Sequence, residues 1–172
     1  MKRLWQAAGH RVPVAASLFS ALLLASFAGA AGAAQFDDTP KSKSYVAYTE
    51  EPQMVPAGKN AVLELRFRVK DGFHVNSHTP KSELLIPTAL KLDAAAGVKA
   101  GELQYPAGKT YSFAFDPSEK LDVYAGDFTV KLPVVAVAGE HTVNGTLRYQ
   151  ACDNAACYPP RSLPVQVVFT AK

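Results

Sequence analysis

The chain has 172 residues, with 18 lysines and arginines against 15 acidic residues and a formal net charge of +3. Three of the bases, Lys2, Arg3 and Arg11, precede the first acid at Asp37, so the remainder carries fifteen of each sign and is near neutral. Nothing in that balance points to nucleic acid or an anionic surface as a partner, and both classes are set aside.

After the basic start, an apolar run from Val12 to Phe27 gives way to small residues. Ala28 and Ala30, Ala31 and Ala33, or Gly32 and Ala34 offer A-x-A-like cleavage sites. This order predicts a secretory signal peptide over residues 1–34, with the mature chain beginning near Gln35. The alternative is an uncleaved anchor. The run is at the short edge of a spanning helix, and no basic stop-transfer cluster follows it, so no stable membrane span is expected after cleavage. No cysteine lies in the segment, which argues against a lipid-modified N-terminus. Residues 35–172 are enough for one domain with its own hydrophobic core. Export would place that domain where disulfides form and persist.

The mature sequence reads as β throughout. From Ala61 to Lys70, Leu63, Leu65, Phe67 and Val69 alternate with Glu64, Arg66 and Arg68, the pattern of a strand with one wet face. Asp71-Gly72 marks a turn, after which Phe73 and Val75 resume the period with His74 and Asn76 opposite. Further strands are expected over Thr88–Leu92, Tyr111–Phe115, Asp127–Leu132, Thr142–Ala151 and Leu163–Phe169. Breakers such as Pro80, Pro87, Pro117 and Pro159-Pro160 separate these runs. Short strands with closely spaced turns predict an all-β, immunoglobulin-like antiparallel β-sandwich. The inter-sheet disulfide of a true immunoglobulin domain is not expected, because the cysteines lie only five positions apart and the one tryptophan is Trp5.

Cys152 and Cys157 lie in Tyr149-Gln-Ala-Cys-Asp-Asn-Ala-Ala-Cys-Tyr-Pro-Pro160. Five extended steps span roughly 17 Å, whereas a disulfide needs Cα atoms about 4.4–6.8 Å apart. Bridging therefore requires the chain to fold back. Asp153-Asn154 suits such a turn, Ala155 and Ala156 are small, and Pro159-Pro160 stiffens the exit.

Four uses of the pair compete. As a staple it would close a loop contributing roughly 2 kcal/mol, against nearly 5 kcal/mol for a loop of about 100 residues. A redox pair is modestly favoured by the spacing, since so short a loop can be strained and easier to reduce. A zinc site would need further ligands, and His74, His78 and His141 are scattered. Covalent haem attachment wants C-x-x-C-H, whereas here the spacing is wider and Tyr158 follows Cys157. Neither a metal nor another cofactor is therefore expected. Arg148 and Arg161 would lower a cysteine pKa and Asp153 would raise it, and spacing does not decide between them. His78 and Glu83 flank Pro80 without a nucleophile nearby, which fits a surface role. Asn144-Gly-Thr146 matches a glycosylation sequon inside a strand pattern.

Tyr149-Gln-Ala-Cys…Cys-Tyr-Pro-Pro160, together with Val69-Lys-Asp-Gly-Phe73 and Val123-Tyr124…Leu132-Pro-Val134, resembles the N-terminal periplasmic domain of the thiol:disulfide interchange protein DsbD. The similarity runs in order over nearly the whole mature chain. It implies an immunoglobulin-like sandwich in the bacterial periplasm, acting as a thiol:disulfide oxidoreductase through Cys152 and Cys157, with Cys157 forming mixed disulfides. The implied donors are a thioredoxin-like or membrane electron-transfer protein. The implied acceptors are periplasmic disulfide isomerases or cytochrome c maturation proteins. The family covers its disulfide with a loop bearing an aromatic cap, which by position falls in Tyr111–Pro117 with Phe113 or Phe115 as the cap. The alternative is that Tyr111, Phe113 and Phe115 form one buried strand face. His74, Asn76 and Tyr158 are near-site candidates, with solvated strand positions as the alternative for His74 and Asn76. Family members continue into a membrane conduit and a thioredoxin-like domain, so a chain ending at Lys172 is expected to take electrons from a separate protein. The competing function is a non-catalytic sandwich module whose disulfide is a local clamp.

Overall fold

The computed structural model describes residues 44–113 and 116–172. The expected signal peptide and Phe115 lie outside the described residues. Every regular element described is a strand, and the strands form three four-stranded sheets.

The first sheet runs β1 (Val46–Thr49), β3 (Ala61–Val69), β9 (Asp127–Ala136) and β6 (Val98–Ala100). Strand β3 buries Leu63, Leu65, Phe67 and Val69 and exposes the charged residues between them. The alternation expected from sequence therefore maps onto one apolar face and one wet face. Its partner β9 aligns Leu63 with Leu132, Leu65 with Val130 and Phe67 with Phe128, and the last two rings stack at 5.1 Å.

The second sheet runs β2 (Gln53–Val55), β12 (Arg161–Ala171), β10 (Gly139–Tyr149) and β5 (Ala89–Leu92). Val143, Leu147, Val165, Val167 and Phe169 join the first sheet's apolar face in one buried cluster. Burying each such side chain stabilises the fold by roughly 1.5–3 kcal/mol, and the two faces together make the immunoglobulin-like sandwich. Gly145 is required where β5 crosses closely, because a Cβ there would meet the Lys91 carbonyl oxygen at 2.6 Å.

The third sheet runs β11 (Ala151–Cys152), β4 (His74–Asn76), β8 (Asp116–Tyr124) and β7 (Lys109–Phe113). It extends the sandwich at one end. Strand β11 resumes β10 after Gln150, while β8 reaches β9 through Ala125-Gly126, where Gly126 has φ 68°. The Asp71-Gly72 turn leading into β4 likewise has Gly72 at φ 82°, a conformation that costs glycine least.

Two expectations are corrected here. Pro117 does not end a strand, since it is the second residue of β8, at an exposed position. The expected strand Thr142–Ala151 is interrupted at Gln150, and its last residue belongs to β11 in a different sheet.

Candidate functional site

Strand β10 delivers the chain to the cysteines through Tyr149, whose buried hydroxyl accepts a hydrogen bond from Tyr45 N–H at 3.1 Å. Gln150 then bridges the connection. Its Nε2 donates to the Tyr158 carbonyl at 3.2 Å, and its Oε1 accepts from Asn76 Nδ2 at 3.3 Å. Strand β11 pairs with β4 so that Ala151 opposes Val75 and Cys152 opposes His74. Ala151 and Val75 face the main core, and Cys152 and His74 face the other way because successive side chains alternate.

Between the cysteines the chain reverses on Asp153. Its Oδ1 accepts from the backbone N–H groups of Ala155 and Ala156 at 2.8 and 2.9 Å, and its own N–H donates to the Ala156 carbonyl. A carboxylate at the first position of a tight turn satisfies amides that the reversal would otherwise leave unpaired. Tyr158 N–H donates back to the Ala151 carbonyl at 2.8 Å. Cys152 and Cys157 face each other as an antiparallel bridge with bonded sulfurs, and their Cα atoms, 4.0 Å apart, lie even closer than the lower bound of about 4.4 Å expected from sequence. Cys152 is 0 % exposed, whereas Cys157 is exposed.

Of the charged groups flanking the cysteines, Asp153 and Arg161 make other contacts and Arg148 faces solvent. The Tyr158 hydroxyl donates to Asp153, which also accepts the two amides, and these bonds hold the Asp153 carboxyl below its ordinary range. The same hydrogen bond to Asp153 pushes the Tyr158 phenol up. Arg161 lies over the Tyr45 ring at 5.1 Å, and Arg148 is exposed on β10. Tyr158 stacks on Tyr45 at 5.2 Å beside Phe73, so aromatic packing supports the exit from the cysteine loop.

His74 and Asn76 are not solvated, which corrects that expectation. They are 3 % and 0 % exposed, because β4 is flanked by β11 and β8, the Tyr111 and Phe113 rings lie against His74, and Ile86 and Gln150 lie against Asn76. The His74 ring lies 4.0 Å from Tyr111 and 5.9 Å from Phe113. Burial pushes the His74 imidazole below its ordinary pKa, partly opposed by the Asp153 carboxylate. Asn76 Nδ2 donates to the Ile86 carbonyl at 3.0 Å, while among the described residues His74 Nε2 and Asn76 Oδ1 are buried without partners.

Phe113 is 8 % exposed and packs with Leu121 and Val123 in a second, smaller apolar cluster joined by Leu85 and Tyr111. Tyr111 and Phe113 meet edge to face at 5.4 Å, and the Tyr111 hydroxyl donates to Asn154 Oδ1 at 2.8 Å. The aromatic segment therefore both fills a local core and lies against the cysteine loop. His78 is exposed, stacked on Tyr105 at 3.7 Å, and Glu83 is exposed. Sequence reasoning missed Tyr45, Gln150 and the tethering role of Tyr111. Only Gln150 carried a signal, as the residue inside the Tyr149-Gln-Ala-Cys152 motif.

Residues 44–168 match the model of the family described as "Thiol:disulfide interchange protein DsbD, N-terminal". No curated protein sequence matches the chain. Among solved structures, the reduced N-terminal domain of Neisseria meningitidis DsbD is similar at 22 % identity and a TM-score of 0.43, covering 73 % of this chain and 91 % of that one. The same domain in complex with the PilB N-terminal domain gives 21 % identity and 0.45, covering 76 % and 87 %. The N-terminal periplasmic domain of ScsB from Proteus mirabilis gives 11 % and 0.48, covering 71 % of this chain and 44 % of that one.

Proposed function

The chain belongs to the DsbD N-terminal domain family, and on that premise we propose that it is a periplasmic thiol–disulfide carrier working through Cys152 and Cys157. The observation that carries the reading is the asymmetry of the bridge. An exposed Cys157 is bonded to a wholly buried Cys152, so an incoming sulfur can approach one end of the disulfide and not the other.

The exchange follows from that asymmetry. A donor thiolate attacks Cys157 Sγ in line with the S–S bond, a donor–Cys157 bond forms, and the electron pair of the broken bond leaves on Cys152. The donor's second thiol then attacks its own sulfur in the mixed disulfide, so the donor leaves oxidised and the carrier holds two thiols. Toward an acceptor the order reverses. The Cys157 thiolate attacks the acceptor disulfide, and Cys152 resolves the mixed disulfide by attacking Cys157. Phe113 shields the buried side of the pair. A thioredoxin-like or membrane protein is the donor class, and periplasmic disulfide isomerases or cytochrome c maturation proteins are the acceptor class.

A Cys152→Ala variant tests the reading, since it leaves Cys157 free to attack but removes the resolving thiol. Covalent partners should accumulate on Cys157 in a periplasmic extract containing reducible proteins. None recovered, together with a reduction potential far below about −300 mV, would mark the bond as a structural clamp in a binding module. That second reading draws on the dense hydrogen bonding of the 153–158 loop.

A further inference from the structure

His74 stands directly opposite Cys152 in the register of β4 and β11. Directly opposed residues in an antiparallel pair leave the same face with Cβ atoms about 4.5–5.5 Å apart, a gap that an imidazole spans. His74 is buried, and among the described residues its Nε2 has no hydrogen-bond partner. A buried ring nitrogen left unpaired is costly and calls for a reason. The state of the residue opposite supplies one. While Cys152 is bonded to Cys157, its sulfur has no proton to donate and accepts only weakly. Reduction creates an S–H on that residue, which is the partner Nε2 lacks.

We propose that His74 is the proton partner of Cys152, taking the thiol proton at Nε2 as the disulfide closes and returning it as the disulfide opens. The assignment rests on the exchange reading above and deepens it. In the closing direction, Nε2 accepts the proton of the Cys152 thiol. The freed sulfur pair attacks Cys157 Sγ, the Cys152–Cys157 bond forms, and the acceptor sulfur departs with the pair of the broken mixed disulfide. In the opening direction, the pair returns to Cys152 as a donor sulfur bonds to Cys157, and the proton passes back from Nε2.

The surroundings suit this use. Tyr111 and Phe113 lie over the ring and keep water from the nitrogen. Burial favours the neutral imidazole, the form able to accept a proton. Among the described residues, the charged group acting on the ring is Asp153, placed to stabilise the imidazolium formed in transit. The Tyr111 hydroxyl is committed to Asn154, and the Asn76 amide to Ile86 and Gln150.

The test uses the full chain with dithiothreitol and oxidised glutathione as probes, so no partner protein is needed. Nitrogen-detected NMR of the His74 ring should give titration midpoints separated by about half a pH unit or more between the oxidised and reduced protein. Closure of the reduced pair by oxidised glutathione should slow at least about tenfold in His74→Phe. His74→Gln, which hydrogen-bonds but does not titrate, should lose the same step in the pH–rate profile. Superimposable His74 titrations in the two redox states of the wild-type protein overturn the proposal, however the variants fold. So do variants that close at the wild-type rate with an unchanged profile. Loss of these effects with partner trapping intact removes His74 alone. Absence of trapping with these effects intact removes the carrier reading instead.

Discussion

The Tyr111 hydroxyl donates to Asn154 Oδ1 at 2.8 Å, fastening β7 to the turn between Cys152 and Cys157. One end of that hydrogen bond belongs to the strand that covers His74, and the other to the loop that carries the exposed sulfur. Cover and disulfide are therefore linked, and opening one should change access to the other.

Tyr111→Phe removes the tether and keeps the ring over His74. The bond is exposed, so its loss should cost under about 1 kcal/mol of stability. The rate at which dithiothreitol reduces the disulfide should nevertheless rise several-fold. Alkylation trapping over time reads that rate, and equal rates in the two proteins would show that the tether does not govern access.

Phe113→Ala should be more damaging. Phe113 is a large member of the small cluster with Leu121 and Val123, next to the His74 ring, and truncating a buried phenylalanine costs about 3–5 kcal/mol. The lower end is expected here, because the cluster is small and close to solvent. Urea unfolding at neutral pH measures the loss, and reduction by dithiothreitol should accelerate beyond the Tyr111→Phe rate.

His74 makes the stability of the fold depend on pH. Its folded-state pKa is depressed, chiefly by burial, while the unfolded chain should titrate near the ordinary value of about 6.5. Between those values the unfolded chain binds more protons, so protonation favours unfolding. The stabilising contribution is full above about 6.5 and is lost as pH falls toward the folded-state pKa. Urea midpoints of the oxidised protein should drop between pH 7.5 and pH 5, and His74→Gln should flatten that slope. The window stays above the range in which Asp153 titrates.

Asp153→Ala removes the acceptor for Ala155 and Ala156 N–H and for the Tyr158 hydroxyl. The reduced loop should then populate the closed arrangement less, lowering the equilibrium constant for disulfide formation against glutathione several-fold. Asp153→Asn keeps an acceptor oxygen without the charge and should fall between. A redox titration of the three proteins gives the order directly.

Much of the frame is legible in the sequence. The alternation of Leu63, Leu65, Phe67 and Val69 with charged residues defined a one-sided strand, since side chains on a strand alternate between faces. Asp71-Gly72 and Asp153-Asn154 marked reversals because glycine tolerates positive φ and aspartate caps its own turn. What remained hidden lay where period-two logic says too little. The pattern placed His74 and Asn76 on the face opposite Val75, but it could not say that the second face is covered as well. That cover comes from Tyr111 and Phe113 over His74, more than thirty residues away, from Ile86 and Gln150 against Asn76, and from the pairing of β4 with β11 and β8. Strand β8 was hidden for a related reason, since its first half is exposed and carries Pro117 and charged residues. A β-sandwich with a foldable cysteine pair follows from the chain alone, because alternation and turn chemistry are local. That Cys152 is buried, that Cys157 is exposed and that His74 stands opposite the hidden cysteine follow from the assembled strands, because burial depends on which distant residues arrive to exclude the water.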